Sequence, residues 1–160
     1  EFLRRTIMRR LSGILLGLSL IVLPSFLPGD AGEPARLFAQ EPFTFDGEVA
    51  MWSMAIKPDK VSDFMEVLDR VKQALEKSDN PSASRQLAGW RVVRGGRMPD
   101  GNIVFTHLID PVVPGADYAM LTILYEGFPD EQRAMYDLYA GAFGAALGAS
   151  VGDVVVDFSN

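Results

Sequence analysis

His107 is the residue whose type alone suggests chemistry, because it is the one histidine of the 160-residue chain. Imidazole has an ordinary pKa near neutrality, so it can act as a general base or bind a metal. The chain has no cysteine, which excludes disulfides, thiolate zinc sites, iron–sulfur clusters and cysteine nucleophiles. We therefore weigh two interpretations of His107: a functional group such as a general base, and a buried histidine hydrogen-bonded to backbone or to a carboxylate.

Aromatic side chains suggest a second chemistry, the binding of a small apolar or aromatic molecule. Pockets for such molecules are lined mainly by apolar and aromatic groups with a few polar ones. The candidate lining residues are Trp52, Trp90, His107 and Tyr125. Aromatic residues at strand or helix spacing are more often part of the core, so we expect one or two of them to face a cavity. The residue types predict no metal site and no cofactor.

Three arginines, Arg91, Arg94 and Arg97, surround a turn at Gly95–Gly96. The backbone amides of such a turn, together with nearby guanidinium groups, suit an anion. Arg91 and Arg94 fall on opposite faces of a strand, which favours a solvated hairpin instead. Nucleic-acid binding is not expected, because residues 40–160 carry ten basic and eighteen acidic residues, a net charge of −8 that repels phosphate.

The hydrophobic pattern predicts six elements that would position these residues, in the order strand, helix, strand, strand, helix, strand. Continuous or alternating apolar runs indicate the strands, and apolar residues three or four apart indicate the helices. The strands are predicted at residues 48–57, 87–94, 102–109 and 151–158, and the helices at 58–77 and, in two pieces, 118–143. This order is that of a ferredoxin-like α+β fold with a four-stranded antiparallel sheet.

The last predicted strand places two carboxylates on one face. Asp153 and Asp157 would lie about 13 Å apart there, beyond the roughly 5–10 Å of paired-carboxylate catalysis. Charges on an edge strand discourage edge-to-edge aggregation. We therefore expect the two aspartates to protect an edge and to have no catalytic role.

The predicted strands are apolar on both faces. In the first strand, Trp52, Met54 and Ile56 alternate with Val49 and Met51. Helices cover one face of such a sheet, and monomers rarely leave a large apolar patch in water. The sequence therefore predicts a homodimer in which two sheets meet through their open faces.

The first strand, which ends in Lys57-Pro58-Asp59, is followed by a helix with Phe64 and Leu68 on its inner face. With the order of the elements, these features resemble the dimeric α/β-barrel superfamily, which includes antibiotic-biosynthesis-type monooxygenases, over residues 48–158. The chain is also similar to small exported bacterial proteins of this shape that have no assigned function. The resemblance implies a cavity between sheet and helices, which in the superfamily holds an aromatic substrate, haem or nothing known.

Residues 1–39 carry the pattern of a secretory signal peptide. Four arginines precede an apolar run from Leu11 to Leu23, and a stretch rich in proline, glycine and alanine follows. A basic segment, a short apolar segment and small residues near a cleavage point define such peptides. We expect the start at Met8, cleavage after Ala39 or Ala31, and export to the periplasm or out of the cell, with no stable membrane association afterwards. Residues 40–47 then lead into a domain over residues 48–160.

The sequence thus favours an exported small protein that binds an apolar or aromatic ligand as a dimer. Two alternatives stay open. The first is a monooxygenase-like or haem-dependent enzyme that uses His107. The second is a non-catalytic dimer with a filled core that serves as an interaction partner.

Overall fold

The structure, a computed structural model, describes residues 42–158. The predicted signal peptide, its start, both cleavage positions and the first residues of the lead-in lie outside the described residues. The strands are β1 (Val49–Ile56), β2 (Trp90–Arg97), β3 (Ile103–Ile109) and β4 (Phe143–Gly152). The α-helices are α1 (Val61–Lys77), α2 (Ala83–Gly89), α3 (Met120–Gly127) and α4 (Gln132–Ala142), and short 3₁₀-helices occupy Pro58–Lys60 and Pro129–Glu131.

The four strands form one antiparallel sheet in the order β2-β3-β1-β4. The register places Trp52 of β1 opposite His107 of β3, and His107 opposite Val92 of β2. The predicted α+β class with a four-stranded antiparallel sheet is confirmed. The hairpin of the second and third strands and the division of the second helical region into two pieces are confirmed as well.

The last strand begins earlier than predicted, at Phe143–Gly152 instead of residues 151–158. β1 presents bulky groups to this edge, and Trp52 lies opposite Ala149. A Cβ atom at Gly144 would lie 2.9 Å from the carbonyl oxygen of Ala55. The glycine- and alanine-rich segment therefore fits this edge, because strand preference depends on packing against neighbours as much as on residue type.

Residues 153–158, which the sequence assigned to the last strand, follow the sheet as an exposed segment. Val155 is 93% exposed and Phe158 95% exposed. A hydrogen bond of 2.8 Å from the backbone N–H of Val154 to Glu48 Oε2 holds the start of the segment. The prediction that Asp153 and Asp157 share a strand face is therefore wrong, because neither lies on a strand.

The second strand also begins later than predicted, because residues 83–89 form α2 ahead of it. The sequence predicted a strand at residues 87–94, whereas β2 covers Trp90–Arg97. Gln86 of α2 is buried, and its Nε2 donates a 2.8 Å hydrogen bond to the carbonyl oxygen of Asp117. This bond joins positions far apart in the chain, so the local pattern gives no sign of it.

The core lies between the helices and one face of the sheet. Phe64 and Val67 of α1 are fully buried, and the ring of Phe64 meets the ring of Phe105 edge-on at 5.0 Å. Their spacing puts them on one side of the helix. α3 approaches α1 closely at Gly127, where a Cβ atom would overlap the side chain of Ala74. Between residues 42 and 158 no helix combines the length and the apolar character needed to cross a membrane.

The other sheet face, which we call the open sheet face, carries exposed and half-buried residues. Met51 is 44% and Val93 48% exposed. At its centre, the hydroxyl groups of Ser53 and Thr106 share a hydrogen bond of 2.8 Å. Removing two hydroxyl groups from water costs less free energy when they form a hydrogen bond with each other than when both are unpaired. The open sheet face therefore exposes apolar side chains, and the two hydroxyl groups at its centre are paired with each other.

Candidate ligand-binding site

His107 lies on the helix-covered face of β3, and none of its surface is exposed. Its Nδ1 atom accepts a 3.0 Å hydrogen bond from the Nε1–H group of Trp90. Its ring stacks on the indole of Trp52, with ring centroids 4.3 Å apart and planes 11° from parallel. The sequence led us to expect a backbone group or a carboxylate beside a buried His107, and the structure places an indole there.

The hydrogen bond from Trp90 determines where the proton of His107 sits. Because Nδ1 accepts, the neutral ring carries its proton on Nε2. Nε2 has no hydrogen-bond partner among residues 42–158. Burial lowers the pKa of His107 from 6.5 to about 3, since the cation would lose its hydration. A general base works best with a pKa near the working pH, so this enclosed ring is poorly suited to that role.

Trp52 is the centre of an aromatic cluster in the core. Four rings surround it with centroid distances from 5.2 to 6.4 Å: Phe43, Phe45, Trp90 and Tyr118. The hydroxyl of Tyr118 accepts a 3.0 Å hydrogen bond from the backbone N–H of Val113. Aromatic pairs at such distances stabilise a core beyond the area that they bury. Most of these rings are therefore packing groups.

Tyr125 lies apart from this cluster. It belongs to α3, and burial, followed by the nearby Tyr136 and Asp137 of α4, raises its pKa. Its surroundings are therefore those of α4. Of the four predicted lining residues, the structure brings Trp52, Trp90 and His107 together and leaves Tyr125 outside.

The largest of three described cavities is a groove of about 540 Å³ between α1 and the edge strand β2. We call it the α1–β2 groove. Its lining residues are Met65, Leu68, Val71, Lys72, Leu75, Leu87, Trp90, Val92, Arg94 and Phe105. Trp90 is the predicted ligand-binding residue that lines it. The volume lies in the range of about 300–1,000 Å³ that is typical of small-molecule pockets.

The groove lies between α1 and β2, and β2 is an edge strand with a neighbour on one side alone. Met65 and Leu68 lie beside the buried stripe of α1, and Met65 is 51% exposed. Trp90, Val92 and Arg94 alternate along β2, so all three face α1. Two of these strand residues are apolar and the third is a cation. The arrangement can hold an apolar body and contact one polar group at its rim.

Two smaller cavities have different walls. One of about 370 Å³ lies beside β4, with Trp52, Tyr118 and Tyr139 among its lining residues. One of about 300 Å³ lies beyond the end of α1 and contains Asp79, Asp117 and Glu126. His107 lines none of the three. Within residues 42–158 no group of three histidine, aspartate or glutamate side chains is placed to hold a metal ion.

The sequence interpretation named neither Met65 nor Leu68 as a ligand-binding residue. Both have the spacing of the inner face of an amphipathic helix. The spacing does not show which residues of that face extend past the buried core and stay exposed. Arg94 was weighed as part of an anion site with Arg91. The structure separates the two, because Arg94 pairs with Phe105 on the groove side and Arg91 with Leu108 on the open sheet face.

Comparison with known proteins identifies no family for this chain. No protein-family model matches the chain, and neither a curated protein nor a solved structure matches it. The function of the groove is therefore inferred from the chain's own residues, and the resemblance to dimeric α/β barrels stays a prediction.

Proposed function

We propose that the protein binds a small apolar or aromatic molecule in the α1–β2 groove. The observation that carries this proposal is the groove itself, an open cavity of about 540 Å³ with apolar walls from α1, α2, β2 and β3. Burying apolar ligand surface against these walls is favourable by roughly 25 cal/mol for each Å² removed from water. The half-buried indole of Trp90 lines the groove and can contact an aromatic ligand.

Binding explains the site better than catalysis by His107. The ring of His107 is fully buried and lines none of the described cavities. Its Nε2 atom is enclosed, so neither a substrate nor a haem iron would reach it without displacement of core rings. His107 is linked to the groove through Trp90, because its Nδ1 atom accepts a hydrogen bond from the indole N–H group of that residue.

We also propose the finer architecture: a ferredoxin-like fold whose open sheet faces join two copies into a dimeric α/β barrel. The strand order β2-β3-β1-β4 supports the first part. The exposure of Met51 and Val93 supports the second, since an apolar sheet face favours burial against another surface. Export remains part of the proposal and depends on the pattern of residues 1–39.

Two methionines of similar exposure provide the test of groove binding. Met65 lines the groove and is 51% exposed, whereas Met51 lies on the open sheet face and is 44% exposed. The full chain is titrated with phenylnaphthylamine, a neutral aromatic probe that fluoresces in apolar surroundings. We expect Met65→Glu to weaken binding about tenfold, because a carboxylate loses hydration beside a bound apolar ring. Met51→Glu should leave binding unchanged.

The same two variants test the dimer when light scattering measures their mass. Met51→Glu should convert the dimer to a monomer, because the substitution would take a carboxylate out of water between the joined apolar faces. Met65→Glu should remain dimeric. Probe binding that is equal in both variants would refute the groove. A wild-type monomer at micromolar concentration would refute the barrel and leave the groove standing. A dimer without probe binding would favour the interaction protein.

A further inference from the structure

The rim of the α1–β2 groove is cationic. Lys72 and Arg94 belong to its lining, and no aspartate or glutamate does, although the chain carries 21 acidic and 15 basic residues. Arg94 forms no ion pair with any of residues 42–158. Lys72 has Glu76 at 3.7 Å, and both side chains are about half exposed or more, which makes that pair weak. The rim therefore keeps a positive field.

We infer that the ligand of the groove is an amphipathic anion: an apolar or aromatic body with one acidic group that Arg94 binds. This inference rests on the proposed function and adds the chemical class of the ligand. Positive charge at the edge of an apolar groove is complementary to an acid at one end of an apolar molecule. A guanidinium group also binds carboxylate and sulfonate oxygens through two parallel hydrogen bonds.

The strand geometry orients such a ligand. Trp90, Val92 and Arg94 face α1 in succession, and the five residues 90–94 span about 13 Å of strand. The acid would lie at the Arg94 end, and the body would lie over Val92 and the indole of Trp90. Lys72, on the α1 side of the same groove, adds a second positive charge to the rim.

The other two cavities offer no such match. The cavity of about 300 Å³ contains three carboxylates, of Asp79, Asp117 and Glu126, against the single cation of Lys77. The cavity of about 370 Å³ has no charged residue in its lining. A preference for an anionic ligand would therefore distinguish the α1–β2 groove from both.

Two probes with one ring system separate the effect of the charge from that of the apolar body. Phenylnaphthylamine is neutral, and anilinonaphthalene sulfonate adds a sulfonate to the same rings. Arg94→Gln is compared with Arg91→Gln, which removes a cation from the opposite face of the same strand. We expect Arg94→Gln to weaken sulfonate binding about five- to tenfold and to change phenylnaphthylamine binding by less than about twofold. Arg91→Gln should affect neither probe.

Two further measurements test whether the positive charge of Arg94 binds the sulfonate. Arg94→Lys should restore part of the sulfonate affinity, because it keeps the charge and loses the paired hydrogen bonds. Added salt should weaken sulfonate binding to wild type and leave phenylnaphthylamine unaffected, since the rim is exposed to screening. Arg94 is exposed, so its replacement should leave the thermal unfolding midpoint unchanged.

The outcomes distinguish this inference from the proposal beneath it. If Arg94→Gln and Arg91→Gln weaken sulfonate binding equally, or not at all, the anionic class is overturned. The proposed groove then stands as long as phenylnaphthylamine binds and Met65→Glu weakens that binding. If neither probe binds the wild-type chain, both the groove and its ligand class are refuted.

Discussion

Acidification tests the burial of His107 because this chain contains no other histidine. The unfolded chain takes up the ring proton around pH 6.5, whereas the folded protein resists it until about pH 3. A group with a lowered folded-state pKa contributes its full stability above the unfolded pKa, and that stability is lost as the pH falls toward the folded pKa. The folded protein should therefore become less stable on acidification, beginning near pH 6.5.

The magnitude follows from proton linkage. With pKa values of 6.5 and about 3, the free energy of unfolding should fall by about 1.4 kcal/mol between pH 7.5 and pH 5.5. Carboxylates with ordinary pKa values near 4 remain ionised across this interval, so the histidine dominates the change. The expected loss hardly depends on how far the folded-state pKa lies below 5.5, because the ring of the folded protein stays neutral throughout this pH interval. The free energy of unfolding of the wild-type protein should fall smoothly as the pH is lowered.

Urea unfolding at a fixed protein concentration measures the effect, since a dimer would make stability depend on concentration. His107→Asn is the matched variant, because its amide oxygen can accept the Trp90 N–H and the side chain does not titrate. We expect this variant to lose about 1–3 kcal/mol of absolute stability to the smaller side chain. Its stability should be flat between the two pH values.

A wild-type loss below about 0.4 kcal/mol would contradict the reasoning, as would an equal loss in His107→Asn. If that variant does not fold, nitrogen NMR of the wild-type ring gives the same information. The spectrum should show a proton on Nε2 and no titration between pH 7.5 and pH 5.5. A ring that titrates near pH 6.5 in the folded protein would show that burial does not hold His107 neutral.

Three other predictions test packing. Gly127→Ala should destabilise the fold by about 1–3 kcal/mol in urea unfolding, since the added methyl group overlaps α1. Gly141→Ala is the matched control, because this position on α4 has open space beside it. It should be neutral or stabilising by up to about 1 kcal/mol. Termination after Gly152 should move the thermal midpoint by less than about 3 °C, since the side chains of residues 153–158 are exposed; a larger drop would show that this segment stabilises the sheet. Tyr118→Phe should cost about 1–3 kcal/mol in urea unfolding, because the buried N–H of Val113 loses its acceptor.

The parts of the fold that could be predicted are those in which local pattern and final packing agree. β1 and β3 are dense apolar runs, and α1 has a continuous stripe with turn residues on either side, so their positions follow from the sequence. The last strand could not be placed because the valine-rich segment has the higher strand preference. The bulk of Trp52 and the carbonyl of Ala55 favour a glycine- and alanine-rich neighbour, and that is a property of the assembled sheet.

The candidate site shows the same division. Trp90 could be proposed as a ligand-binding residue from its type, and Met65 and Leu68 could be placed on the inner side of a helix. That these residues form an open groove depends on β2 being the edge strand, and the order β2-β3-β1-β4 is set by pairing between distant segments. The separation of Arg94 from Arg91 could be predicted, because alternation along a strand is local.

His107 and Trp90 together show how the core supports the groove. The Nε2–H of His107 has no partner among residues 42–158, and an unsatisfied buried donor costs about 1–3 kcal/mol. An apolar residue would avoid that cost but would leave the indole N–H of Trp90 without its acceptor. A carboxylate could accept that N–H, yet it would place a charge in the core. A neutral imidazole accepts the N–H, carries no charge and stacks flat on Trp52. Because rigidly held side chains bind with less loss of conformational freedom, we expect the histidine to favour the proposed ligand binding by fixing the Trp90 wall of the groove.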